Sequence, residues 1–197
     1  MIQLDPATTA LVLIDLQKGI LSMSVAPYSG SEVYAKGMDL SARFRAAGSP
    51  VVRVRVDFAA DFADAPSNRV DAPTQRPAGG YGADFAAFPD DPAASGDLIV
   101  TKRHWGAFHG TDLDLLLRRR GVRTIVLAGI ATNIGVESTA RSAHEHGYDL
   151  VVVEDATTGN SAEMHAFAFE RIFRAWPASP RPHKSSSARA ERRGRAR

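Results

Sequence analysis

There is no cysteine among the 197 residues. Disulfides, thiolate metal ligands and catalysis through a cysteinyl intermediate are therefore excluded. Long apolar runs are missing too. None approaches the roughly 18 residues needed to cross a bilayer, so no membrane partner is expected. The opening Met1-Ile-Gln-Leu-Asp-Pro6 lacks the basic and apolar stretches of a secretory leader, which makes the cytoplasm the expected location. No glycine-rich loop of the dinucleotide or P-loop type occurs, and no serine sits in a nucleophile elbow; no cofactor is expected. Nor is the charge one-signed. Residues 181–197 hold seven basic residues and one acid, leaving 17 basic against 21 acidic residues in 1–180. A mildly acidic body gives no footing for nucleic acid. The basic end reads as a solvated, disordered tail.

What the chain does have is 44% hydrophobic residues, enough for one domain with a real core. We place that domain at residues 1–175 and an atypical basic tail at 176–197. Short apolar runs alternate with helical patterns. Strands are expected at 10–14, 51–56, 98–100, 124–128 and 150–153. Helices are expected at 31–47, 111–120, 133–146 and 161–173, with stop signals at Gly48, Gly121 and Gly147. The connection 57–97, rich in Pro, Gly and Asp, exceeds the usual loop length and is either functional or partly structured. This alternation predicts an α/β fold: a single-domain, three-layer α/β/α arrangement with a mostly parallel, doubly wound sheet. Such sheets bind ligands beyond the carboxyl ends of their strands. Asp15, Asp57, Lys102, Ile130 and Asp155 fall at or just past those ends.

Three strings near those ends carry the chemistry. In Leu11-Val-Leu-Ile-Asp-Leu-Gln17 a carboxylate emerges from a buried strand, where desolvation raises its pKa and a nearby cation lowers it. Thr101-Lys-Arg-His-Trp-Gly-Ala-Phe-His-Gly-Thr-Asp-Leu113 closes the third strand. Leu127-Ala-Gly-Ile-Ala-Thr-Asn-Ile-Gly-Val-Glu-Ser-Thr-Ala140 reads as a strand entering a glycine-lined helix start, whose free N–H groups suit an oxyanion or a carboxylate. Taken singly, a turn-capping Asp, a surface Lys and a helix start built from small residues are ordinary features. In this order, over roughly residues 5–173, they resemble the isochorismatase-like hydrolases, a superfamily with a Rossmann-like α/β fold.

Most members of that superfamily carry an Asp–Lys–Cys triad, and Gly135 stands here at the Cys position. The resemblance implies Asp15 as acid or base and Lys102 as the group that holds its side chain and charge in place. It also implies a non-proline cis peptide at Ile130–Ala131. That bond would aim the Ala131 N–H into the pocket, to form an anion-binding pair with the Gly135 N–H. Trp105 and Phe108 either wall the pocket or belong to the core. Arg103 either binds a substrate carboxylate or sits on a solvated rim. Asp57 stands where amidases of the superfamily place a metal ligand, but no His follows at the needed spacing, so no metal is expected.

True isochorismatases also have Gly in place of Cys, and they cleave a vinyl ether. Their Asp protonates the enol-ether carbon, water attacks the oxocarbenium carbon, and pyruvate leaves. The resemblance therefore implies a hydrolase acting on a small, carboxylated substrate without a covalent intermediate. Two alternatives stand beside it: a silent binding protein that kept the pocket, and a slow amidase in which Asp15 activates water. The string Ala131-Thr-Asn133 departs from the Tyr-Ala-His of true isochorismatases. The Asn-Ile-Gly-Val-Glu-Ser-Thr-Ala run is that of a separate branch. Members are commonly dimers or tetramers, which implies a homo-oligomer with helix 133–146 as a contact surface. Related chains finish with one more strand and a short helix. The turn to Ala, Pro, Ser and Arg after Arg174 implies a different ending, as a shifted reading frame would produce, and an uncovered sheet edge.

Overall fold

The structure, a computed structural model, describes residues 3–73 and 75–175. Five parallel strands form one sheet in the order β3-β2-β1-β4-β5: β1 (Thr9–Ile14), β2 (Val51–Val56), β3 (Leu98–Lys102), β4 (Thr124–Ile130) and β5 (Asp149–Thr158). The helices are α1 (Lys18–Leu21), α2 (Gly30–Ala46), α3 (Leu113–Arg118), α4 (Glu137–Glu145) and α5 (Ala162–Phe167).

Central strands buried on both faces read as unbroken apolar runs, and β1 is buried along its whole length. Leu11 and Leu13 pack on one face with Leu16 and with Val33, Met38 and Phe44 of α2. Ala10, Val12 and Ile14 pack on the other with Leu113 and Leu117 of α3, Ala140 and Ala143 of α4, and Phe173. The sheet thus lies between two helical layers, the three-layer architecture that the alternation predicts. α2 opens with a capping box: Ser29 Oγ accepts from the Glu32 N–H at 3.3 Å, and Glu32 Oε2 accepts from the Ser29 N–H at 2.8 Å.

Several elements differ from the sequence expectation. β5 runs on to Thr158 instead of ending at 153, because its pairing with β4 shifts register between Leu127 and Gly129. Asp155 therefore lies within the strand, not at its carboxyl end, and its carboxylate pairs with Lys36 of α2. The helix expected at 133–146 opens with a π-turn over Thr132–Val136, and the one at 161–173 breaks after Phe167 into a π-turn and a 3₁₀ turn. Arg53, on a strand that reads as an apolar run with two arginines, is fully buried. Its guanidinium donates to both oxygens of Asp90 at 3.0 Å and lies 4.8 Å from the centre of the Phe88 ring. Asp97 joins that group and takes Arg45 at 2.8 and 3.0 Å, which fastens the end of the 57–97 connection to the sheet. The basic tail expected at 176–197 lies outside the described residues. Among the described residues no helix is long and apolar enough to cross a membrane.

Candidate active site

The strand order reverses between β1 and β4, and ligands enter such sheets at the carboxyl ends of the strands flanking that reversal. Asp15 is the residue that leaves β1 there. Its φ of 53° lies in the left-handed region, which a non-glycine residue occupies only when its surroundings hold it. The Asp15 N–H donates to Val54 O at 2.9 Å, and Gln17, two residues on, is buried completely. Its amide oxygen accepts from the Val56 N–H at 2.8 Å, and its Nε2 donates to Val56 O at 2.9 Å and Phe85 O at 3.0 Å. The chain after β1 is thereby tied to the end of β2 and to the long connection.

Lys102, the last residue of β3, reaches across to Asp15. Its Nζ donates to Asp15 Oδ2 at 2.8 Å and to His104 O at 3.1 Å. Both side chains are more than nine-tenths buried, and Asp15 Oδ1 has no hydrogen-bond partner among the described residues. Burial pushes the Asp15 carboxyl up to about 6, against the opposite pull of the Lys102 ammonium. The group therefore exchanges its proton close to neutral pH, as a general acid or base must.

The third string completes the cluster. A Cβ built on Gly135 would lie 3.4 Å from Asp15 Oδ2, 3.4 Å from Trp105 O and 3.1 Å from Ile14 Cγ2. A small side chain at 135 would touch the carboxylate, so the three strings meet at one point. The Ile130–Ala131 peptide is cis, and the Ala131 N–H makes no main-chain hydrogen bond among the described residues. Ala131 O accepts from the Ile134 and Val136 N–H groups, both at 3.1 Å. Thr139 joins the second and third strings: its hydroxyl donates to Gly135 O at 2.6 Å and accepts from the Ala107 N–H at 3.0 Å.

Asp15, Lys102 and Gly135 are brought together, and the Trp105 main chain joins them. The remaining residues take other places. Trp105 is 68% exposed. Phe108 is core, with its ring 5.1 Å from that of His146 and 5.8 Å from that of Tyr148. Ile130 packs in the core on the α2 side. Arg103 pairs with Asp64 of the long connection. Asp57 caps its own turn, its Oδ1 accepting from the Phe58 N–H at 2.9 Å. Among the described residues no three His, Asp or Glu side chains are grouped to hold a metal ion.

Sequence reasoning missed Gln17, Thr139 and the aromatic residues of the connection. Phe58, Phe62, Tyr81 and Phe85 form a continuous group, with Tyr81 stacked on Phe85 at 4.0 Å. Phe85 lies against Gly19, where a Cβ would be 2.1 Å from the ring. The signal was present: five aromatic residues, Phe88 among them, in a stretch otherwise rich in Ala, Pro, Gly and Asp.

A buried carboxylate–ammonium pair at the switch point of a doubly wound sheet, facing a turn of small residues, has the make-up of a hydrolase site. The chain belongs to the isochorismatase family, whose domain matches residues 9–179. It is 49% identical over 181 residues to the uncharacterized isochorismatase family protein YecD of Escherichia coli O157:H7, covering 88% of this chain and 92% of that one. It is 34% identical over 195 residues to the ureidoacrylate amidohydrolase RutB of Methylobacterium radiotolerans, covering 87% and 75%. An isochorismatase family protein from Burkholderia thailandensis superposes with a TM-score of 0.83 at 44% identity, over 91% of this chain and 93% of that one.

Proposed function

We propose that the protein hydrolyses a small, carboxylated enol ether, with Asp15 as general acid and no covalent enzyme intermediate. It would thus stand with the members of the family that have Gly in place of the nucleophilic Cys. The observation that carries this reading is the place of Gly135, where a Cβ would lie 3.4 Å from Asp15 Oδ2 and no nucleophilic side chain stands, beside a carboxyl that burial pushes up to about 6 although an ammonium lies 2.8 Å away. Protonated, it delivers its proton to the enol-ether carbon. Water adds to the resulting oxocarbenium carbon and returns a proton to the Asp15 carboxylate. The hemiketal then collapses to a keto acid and an alcohol. The Ala131 and Gly135 N–H groups are the anion site for the substrate carboxylate, and the missing side chain at 135 leaves room for it or for the water.

A second reading is favoured by the likeness to an amidohydrolase. In it, ionised Asp15 takes a proton from water, and that water attacks an amide carbonyl. One experiment separates the two. The protein and Asp15→Asn are incubated with isochorismate, related enol ethers and small amides. Pyruvate release that vanishes in the variant supports the first reading, and ammonia release the second. Binding without turnover overturns both in favour of a silent binding protein.

A further inference from the structure

The turn that offers the anion site is held from behind by an ionisable group the reaction does not use. His165 of α5 is only 3% exposed. Its Nδ1 lies 2.8 Å from Oγ1 of Thr132, a fully buried residue directly after the Ile130–Ala131 bond. Its Nε2 is buried and has no hydrogen-bond partner among the described residues. Tyr28 presents its ring edge-on with centroids 6.0 Å apart, and Phe169 lies at 4.7 Å. The neighbouring Asn133 is fastened on the same side: its Oδ1 accepts from the Asn160 N–H at 3.4 Å, and its Nδ2 contacts Met164 Sδ at 3.3 Å. α5 and the turn that follows β5 therefore form one brace behind residues 131–133.

We propose that His165 is a positioning residue: its neutral imidazole fixes Thr132, and through it the Ala131 N–H, and its protonation loosens that turn. The inference rests on the reading of Ala131 and Gly135 as an anion site. A neutral imidazole meets one hydrogen-bonding need at Thr132 and leaves one nitrogen bare. The imidazolium has two N–H donors, and the second would stand unpaired in a closed, aromatic surrounding. Burial accordingly holds the ring below its ordinary range, while Glu154 of β5, the charged group whose field reaches it, pulls it the other way. Its other contacts among the described residues, Thr132, Tyr28 and Phe169, carry no formal charge.

The test is a pH titration from 7.5 to 5 of the ¹⁵N-labelled full chain, following main-chain amides and the His165 ring. In wild type the amides of Ala131, Thr132 and Asn133 are expected to move with the midpoint of the His165 ring. They should do so equally in Asp15→Asn, which removes the other titrating group near the turn. In His165→Gln, whose amide can still bond Thr132, that movement disappears. Thr132→Val, nearly the same shape without the hydroxyl, uncouples the amides while the ring still titrates. Where turnover is found, Thr132→Val raises KM by roughly five-fold with little change in kcat, the equivalent of one neutral hydrogen bond. Amides that titrate in His165→Gln as in wild type would overturn the proposal. A lack of turnover would sink the reading of the reaction and leave the amide titration to decide the role of His165.

Discussion

Replacing Asp15 with Asn should change how stability depends on pH, in a direction opposite to that of an ordinary ion-paired carboxylate. The carboxyl titrates at about 6 in the folded chain against a reference value of 3.8. Between those values the folded state holds a proton that the unfolded chain releases. Stability is therefore fully present below the unfolded value and is lost as pH rises through the folded one. A gap of about two pKa units is worth about 3 kcal/mol. Asn does not titrate in this window. Removing the partner of Lys102 adds an effect of its own, but an offset of that kind drops out when the two proteins are compared across pH. Unfolding in urea, measured for both proteins from pH 3.5 to 7.5, should give a stability difference, wild type minus variant, that falls by about 3 kcal/mol over the range. A flat difference would refute the reasoning. So would one that rises with pH, since that requires Lys102 to outweigh burial.

The same proton fixes the pH profile of activity. With Asp15 as acid, kcat/KM falls tenfold per unit above about pH 6; with Asp15 as base, it falls below about 6. Gly135→Cys should fold once the Ile14 side chain, whose Cγ2 would lie 3.1 Å from the new Cβ, gives by a few tenths of an ångström, and should place a thiol beside Asp15 that iodoacetamide alkylates. A folded but unreactive variant would count against the site geometry. Gly129→Ala should fail to give folded protein: φ is 122° and the new Cβ would lie 2.1 Å from Ile14 O. A thermal midpoint near that of wild type would contradict this. Gln17→Leu removes three buried hydrogen bonds to Val56 and Phe85 and should lower stability by about 3 kcal/mol, with urea unfolding as the measure.

The layered fold was legible because its signal is local. Runs such as Ala10–Ile14 can be buried on both faces only inside a parallel sheet, and the alternation with helices then leaves few topologies. The strand ends pointed to Asp15 and Lys102, but equally to Asp57 and Asp155, which do not join them; what singled out the pair and added Gly135 was the resemblance to the hydrolase family. What escaped depends on side chains crossing between distant segments. Arg53 reads as a polar interruption of β2 until Asp90 and Asp97, nearly forty residues and more away, are brought against it. Gln17 gains meaning only from the main-chain groups of Val56 and Phe85. The length of β5 was misjudged because a register shift lets the strand continue through Glu154 and Asp155, where polarity argues for a loop. The π-turn at 132–136 has no compositional mark that separates it from an α-helical start.

The absent side chain at 135 and the raised proton affinity of Asp15 belong together on the proposed reading. A thiol there would lie within reach of Asp15 Oδ2 and would be the natural partner for proton exchange. With glycine, the acceptor has to come with the ligand. A carboxylate bound at the Ala131 and Gly135 N–H groups is a like charge beside Asp15 and raises its proton affinity further, which favours the acid form at neutral pH. An uncharged amide gives no such push. Asp15 then stays near 6 and is mostly ionised at pH 7.5, which suits a base. The charge of the ligand thus decides on which side of its titration Asp15 works. Acetate or pyruvate, added at fixed pH, should raise the Asp15 midpoint, whereas acetamide should leave it in place. Equal shifts from the acid anions and the amide would remove the reason for assigning an anionic substrate.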